Sequence, residues 1–122
     1  AALMSTPMMT GENDLTVIDG AKVGVRKGLG LIPNAVFDQH FIKRQRQNRL
    51  FGLVLQNPKL LGVGIDEDTA LLVKDNRFAE NVGATFTMIV DGSDRRATFK
   101  IYLLRAGEQF DLLKRKMIFR KR

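Results

Sequence analysis

The chain has 122 residues, 44% of them hydrophobic, and a net charge of +7, so it can bury the core of one domain and no more. It contains no cysteine, which excludes disulfides, a thiolate nucleophile and thiolate metal ligands. No apolar run approaches the roughly 20 residues that a membrane-spanning helix needs.

The first thirty residues give weak secondary-structure signals. Ala1–Met9 is interpreted as the last turns of a helix, and not as a signal peptide because no basic residue precedes Lys22. We expect a cytoplasmic protein, with secretion left open. Leu15–Ile18 predicts a short strand. Gly20–Gly30 contains four glycines but lacks the flanking strand and helix of a phosphate loop, so it is interpreted as a flexible loop beside a site.

The next segment predicts a strand, a helix and a second strand. Leu31–Phe37 is typical of a buried strand that Pro33 limits at its start. Arg44–Gln56 is the clearest helix, and Asn57-Pro58 stops it. Leu60–Ile65 predicts the second buried strand. This βαβ unit implies a parallel strand pair with a right-handed crossover.

The remaining pattern changes to short β-type runs separated by turns. Ala70–Lys74, Thr85–Val90 and Ala97–Leu104 predict antiparallel strands. The predicted fold class is therefore α/β, as the C-terminal part of a mostly parallel, helix-flanked sheet followed by short antiparallel strands. Since one βαβ unit cannot cover both faces of a parallel sheet, we expect this sheet to need more protein than these residues provide.

A histidine and a carboxylate cluster follow the two predicted parallel strands. His40 is the one histidine of the sequence, and it comes at the carboxyl end of the first strand, where open α/β sheets bind ligands. Glu67, between Asp66 and Asp68, comes at the same end of the next strand. A carboxylate there would orient the imidazole and stabilise its charged form. The alternatives are a structural or surface histidine, and a simple Asp-rich turn.

Arginines follow the histidine along the predicted helix. Arg46 and Arg49 lie about 60° apart around the helix axis, and Arg44 points about 140° away from Arg49. They could not all bind one ligand from the helix body, but Arg44 near the helix start, with Gln39 from the loop, could reach a site that the other two approach from above. The planar guanidinium group of arginine suits carboxylate recognition. A solvated helix face is the alternative. No aromatic residue is interleaved with the basic residues, which argues against single-stranded nucleic acid.

The sequence shows no nucleophile for these groups to activate. Ser5 and Ser93 are the only serines, and neither lies in a Gly-x-Ser-x-Gly elbow. Ala1 has no hydroxyl, so an N-terminal nucleophile is excluded as well.

The motifs described above resemble those of the cyanophycinases, serine peptidases of the peptidase E-like group. The resemblance covers nearly the whole chain, and its specific element is Asp38-Gln39-His40-Phe41 with the arginines that follow. The similar segments are Gly28–Leu31, Asp38–Phe41, Arg44, Arg46, Asn48–Leu50, Gly62–Ala70 and Leu104–Leu112.

The resemblance implies a division of the catalytic machinery. In that family the nucleophile is the serine of a Gly-Thr-Ser-Ala-Gly-Ala motif, and Ala1–Ser5 is similar to the sequence directly after it. Residues 1–122 are then the C-terminal half of a single α/β peptidase domain, inactive without an N-terminal half. His40 would be the general base and Glu67 its acidic partner. The family is metal-free, needs no cofactor and forms homodimers.

The resemblance also implies the substrate. The family hydrolyses cyanophycin, an arginyl-poly-aspartate, to β-Asp-Arg dipeptides. The residues that match the substrate groove are Asp38, Gln39, Arg44, Arg46 and Arg49.

Two other interpretations remain open. One is a peptidase for another aspartyl peptide. The other is a non-catalytic remnant or a basic polyanion-binding module that uses Lys43–Arg49 and Lys114–Arg122, although such a terminal basic cluster is more typical of a solvated chain end. Membranes and nucleic acid are not expected partners.

Overall fold

The computed structural model describes residues 4–5, 7–13, 18, 20–32, 34–39, 46–94 and 99–119. Over these residues the chain forms ten strands, one α-helix and a short 3-10 turn at Gly20–Lys22. The elements are β1 (Pro7–Asn13), β2 (Val23–Lys27), β3 (Ala35–Gln39), α1 (Gln47–Gln56), β4 (Leu61–Ile65), β5 (Thr69–Lys74), β6 (Phe78–Gly83), β7 (Thr87–Asp91), β8 (Lys100–Leu104), β9 (Gln109–Asp111) and β10 (Lys116–Ile118). No helix in this part of the chain is long and apolar enough to cross a membrane.

The central sheet has the strand order β3-β4-β7-β8. β3 and β4 are parallel, with Ala35 beside Leu61 and Gln39 beside Ile65, so the predicted βαβ pair is confirmed. The helix ends at Asn57, whose backbone N–H donates to the Leu53 carbonyl at 3.0 Å.

The predicted fold class is wrong: the described strands do not form a mostly parallel, helix-flanked sheet. β3 and β4 are the one parallel pair among them, and every other described pairing is antiparallel. The physical reason is the length of the connections between consecutive strands. A parallel pair needs a long crossover, and α1 is the one α-helix in the described residues that supplies it.

A second sheet has the order β10-β9-β6-β5, and Phe110 of β9 packs it against the central sheet. Its β5–β6 turn places Asp75 and Asn76 at φ 56° and 52°, and the Arg77 N–H closes it on the Lys74 carbonyl at 3.0 Å. Two consecutive positive φ angles match the twist of a tight hairpin, and Asp and Asn tolerate them.

The first thirty residues differ from the expectation in two places. Ala1–Met9 was expected to end a helix, but residues 7–9 belong to strand β1 (Pro7–Asn13). Val23–Lys27, inside the expected glycine loop, is strand β2 and pairs antiparallel with β1. Of the expected strand Leu15–Ile18, residues 15–17 lie outside the described part of the chain.

Two apolar cores lie on the two faces of the central sheet. On one face α1 packs against β3 and β7, and on the other the second sheet covers β3, β4 and β7. Each fully buried large aliphatic side chain contributes roughly 1.5–3 kcal/mol to the free energy of unfolding. The helix-side core is Met9, Val36, Leu50, Leu53, Val54 and Val90, and the inner core is Ala35, Phe37, Leu61, Val63, Ile65, Ile89, Leu104 and Phe110.

Candidate active site

The carboxyl ends of β3 and β4 lie side by side at one edge of the central sheet. Gln39, the last residue of β3, pairs with Ile65, the last residue of β4, and the turn containing Glu67 follows directly. His40 and Arg44 lie outside the described residues, so the pairing of His40 with Glu67 stays a prediction.

A cavity of about 670 Å³ opens at this edge, against β5. Its apolar wall includes Phe37 and Leu71, and its polar wall includes Gln39 and Glu67. Met4 also lines it. The structure therefore brings Gln39 and Glu67, two of the predicted site residues, to one cavity of a size that suits a small ligand or a peptide segment.

The backbone of Glu67 is held by two threonine hydroxyls. Its carbonyl oxygen accepts a hydrogen bond from Thr69 Oγ1 at 2.9 Å, and Thr85 Oγ1 lies 3.4 Å from the same oxygen. The two hydroxyls lie 2.7 Å apart, and the Thr85 N–H donates to Thr69 Oγ1 at 3.1 Å. Sequence reasoning missed Thr85, because nothing in a β-type run reveals a contact with a turn residue eighteen positions earlier.

A close backbone contact holds the same turn from the β6–β7 loop. The Ala84 N–H donates to the Asp68 carbonyl at 2.9 Å, and Asp68 itself adopts φ 53°. Gly83, at φ 119°, is so close that an added Cβ would lie 2.3 Å from the Asp68 carbonyl oxygen. A glycine is therefore required at position 83 both by conformation and by space.

Asp38 lies on the other face of β3, where α1 covers it. Its side chain is fully removed from solvent, and that of Arg49 is 5% exposed. Arg49 donates from Nε to Asp38 Oδ2 at 2.7 Å and from Nη2 to Asp38 Oδ1. Arg46 Nη1 donates to the Gln39 carbonyl at 2.8 Å and approaches Asp38 Oδ1 at 3.5 Å.

The predicted substrate-binding residues are thus divided between the two faces of β3. Asp38, Arg46 and Arg49 meet on the helix side, whereas Gln39 lines the cavity on the other side, because successive strand side chains alternate. The sequence contained a signal for the helix-side cluster. Val36 and Asp38 share a strand face, and a buried carboxylate requires a cation. Arg46 and Arg49, two of the cations on which the polyanion-binding interpretation depends, are thus bonded within the protein.

Neither serine lines the cavity. Ser5 is fully buried, and its Oγ donates to the Pro7 carbonyl at 2.8 Å. Ser93 follows β7, whose last residues lie beside the start of β4, at the opposite edge. Its N–H donates to Asp91 Oδ1 at 3.0 Å.

The Asp91 carboxylate at that opposite edge is held by hydrogen bonds and an ion pair. Burial raises its pKa, but hydrogen bonds from Ser93 and an ion pair with Arg115 outweigh burial, so the pKa is lowered overall. The described residues contain no group of three or more histidine or carboxylate side chains that could hold a metal ion.

Comparisons with known proteins give a consistent set of similarities, although no family model matches the chain. It is 38% identical over 92 residues to a cyanophycinase of Geminocystis herdmanii, covering 75% of this chain and 34% of that protein. It is 30% identical over 133 aligned positions to a cyanophycinase of Trichormus variabilis, covering 97% of this chain and 45% of that protein.

A solved structure shares the fold. The crystal structure of a peptidase from an acI-B1 Actinobacterium superposes with a TM-score of 0.60 at 23% identity, covering 92% of this chain and 42% of that one. The chain spans less than half the length of these relatives.

Proposed function

Because the chain belongs to the cyanophycinase family, in the peptidase E-like group, we propose that it carries the general base and the acidic partner of a serine-type peptidase. His40 takes the proton from the serine hydroxyl. Glu67 holds the imidazole in the required tautomer and stabilises its charged form. No metal or cofactor takes part in this reaction.

One observation carries the proposal: Gln39 pairs with Ile65. His40 and Glu67 follow these residues in the sequence by one and two positions, and Glu67 lines the cavity at this end of the strand pair. Two catalytic groups that directly follow neighbouring parallel strands are the arrangement expected for a site at the carboxyl ends of an α/β sheet.

The serine comes from polypeptide other than these 122 residues. The places of Ser5 and Ser93 argue against either as nucleophile. Met4 lines the cavity, so a serine in a segment leading into Met4 would approach the cavity that Glu67 also lines. We propose that an N-terminal half, on the same or a separate chain, supplies it, and that the complete domain forms a homodimer. The 122 residues alone are expected to be inactive.

The substrate is an aspartyl polymer bearing arginine, cyanophycin, which the enzyme releases as β-Asp-Arg dipeptides. The matched relatives are named cyanophycinases, which supports this choice. Gln39 in the cavity wall and the guanidinium groups of Arg44 and Arg46 bind substrate carboxylates. Asp38 and Arg49, buried against each other on the helix side of β3, support the groove by fixing the end of this strand. Any other aspartyl peptide that fits this groove is the competing substrate.

The test is the change His40→Ala in the complete assembly, with cyanophycin and a plain aspartyl peptide as substrates. We expect turnover to fall by about 10³-fold or more, because triad residues act as a unit. The changes Ser5→Ala and Ser93→Ala serve as controls and should leave turnover near that of the unchanged enzyme. Turnover retained by the His40 variant would overturn the proposal. If the unchanged enzyme prefers the plain aspartyl peptide, that peptide and not cyanophycin is its substrate.

A further inference from the structure

We propose that Thr85 is a positioning residue for Glu67: its hydroxyl and its backbone fix the β4–β5 turn so that Glu67 stays at the cavity wall. This inference rests on the acidic role proposed above for Glu67. Thr85 does not itself line the cavity, so its action is through the turn and not through the substrate.

The first step of the argument is the number of contacts that Thr85 makes with the turn. Its hydroxyl contacts Thr69 Oγ1 at 2.7 Å and the Glu67 carbonyl at 3.4 Å, and its N–H donates to Thr69 Oγ1 at 3.1 Å. Thr69 alone would restrain Glu67 by one local hydrogen bond. Thr85 adds a restraint from the β6–β7 loop, next to the hydrogen bond from the Ala84 N–H to the Asp68 carbonyl, and it is the one of the two that reaches Glu67 and Thr69.

The second step is that Thr85 is itself rigidly supported. The fully buried Asn81 donates from Nδ2 to the Thr85 carbonyl at 2.9 Å, and Asn81 Oδ1 accepts from Thr87 Oγ1 at 2.6 Å. The Asn81 backbone bonds to Glu108 and Gly107 at 3.0 and 2.8 Å. A continuous series of hydrogen bonds therefore runs from the second sheet to the backbone of Glu67.

The third step is the sensitivity of catalysis to such support. A carboxylate that orients a base must remain within hydrogen-bond reach, and a displacement of about 1 Å can cost as much as 10²-fold in rate. The turn spans three residues between β4 and β5. A small movement of its backbone would therefore move Glu67 directly.

The experiment compares Thr85→Val with Thr85→Ser in the complete assembly. Valine keeps the branched shape and removes the hydroxyl, whereas serine keeps the hydroxyl. We expect the valine variant to have a kcat about tenfold lower and a KM within about twofold of those of the unchanged enzyme. The serine variant should have a kcat near that of the unchanged enzyme. Amide exchange at Ala84, which donates to the same turn, should accelerate in the valine variant alone.

Three results would overturn the inference: unchanged kcat in the valine variant, a rise in KM in place of the fall in kcat, or equal losses in both variants. If the valine variant does not fold, Thr85→Ala against Thr85→Ser is compared in the same way. Glu67→Gln separates this inference from the proposed function. If that change lowers kcat while Thr85→Val does not, Glu67 keeps its role and Thr85 loses its own. If Glu67→Gln has no effect, the proposed role of Glu67 fails.

Discussion

Arg49 of α1 donates to both carboxylate oxygens of Asp38 at the carboxyl end of β3, with both side chains almost entirely removed from solvent. The pair joins the helix to the strand that leads to the candidate active site. Taking two charges out of water is costly, so each charge depends on the other.

Removing one member of this pair should destabilise the fold. We expect Asp38→Asn to lower the free energy of unfolding by about 3–5 kcal/mol, because Arg49 is left as a buried, uncompensated cation. Urea denaturation measures the change. The exposed pair Arg105–Glu108, in which the arginine side chain is 83% exposed, provides the control. There Glu108→Gln should cost less than about 1 kcal/mol. Equal effects of the two changes would mean that the burial of Asp38 has no energetic consequence.

The proposed acidic partner can be separated from its neighbours in the same turn. In the complete assembly, Glu67→Gln should lower kcat by about 10²–10⁴-fold, since the amide no longer stabilises a charged imidazole. Asp68→Asn is the matched control, because asparagine tolerates the positive φ at that position and should leave kcat nearly unchanged. If kcat fell in the Asp68 variant and not in the Glu67 variant, the acidic partner would be Asp68 and not Glu67.

Two glycines distinguish backbone strain from steric crowding. Both Gly83 and Gly107 have positive φ angles, 119° and 82°, but an added Cβ at Gly107 would meet nothing within 4 Å. We expect Gly107→Ala to cost about 1 kcal/mol and Gly83→Ala about 2 kcal/mol more, because the latter also pushes the Asp68 carbonyl away. Thermal or urea unfolding of the two variants measures the difference. Similar costs at both positions would contradict the crowding argument.

Stability should depend on pH through Asp111. The hydrogen bond from Arg77 outweighs burial and lowers the pKa of this carboxyl from 3.8 to about 2. The folded state thus favours the ionised form, so this contribution to stability is complete above about pH 4 and is lost as the pH falls through about 2. The difference in unfolding free energy between the unchanged chain and Asp111→Asn should shrink over that interval in urea titrations. A difference that stays constant with pH would argue against an ionised Asp111 as its source.

The βαβ unit was predictable from sequence because its signals are strong and local. Two apolar runs and an apolar helix face that ends at Asn57-Pro58 indicate this unit, and the structure has it. The bounds of the first strand were wrong, because β3 is Ala35–Gln39 and not Leu31–Phe37. The fold class was not predictable from that unit alone. One crossover helix makes one parallel pair, and the strands that set the overall character of the sheet include several with weak signals.

Those weak strands share a physical cause. β9 and β10 have three residues each, too few to show alternation. β6 contains Glu80 and Asn81, and Asn81 is buried only because Thr85 and Thr87 satisfy its amide. Such compensation comes from the tertiary structure and leaves no local pattern. Glu67 was expected at the carboxyl end of the strand pair because it follows a recognisable apolar strand, whereas Thr85 was missed because its contact with that turn leaves no local pattern.

The tight turn at Asp75 and Asn76 has a consequence for the order in which the chain folds. A hairpin of adjacent strands closes a very short loop, which typically takes about 1–10 μs. β3 and β4 must close a loop that includes the whole of α1, and such non-local pairing is slower. During synthesis, however, β3 and β4 leave the ribosome before β5 and β6. Because synthesis adds only about 5–20 residues per second, the slower parallel pair can form before the hairpin is complete. The face of β3 and β4 that the second sheet covers is then exposed until that sheet has been made.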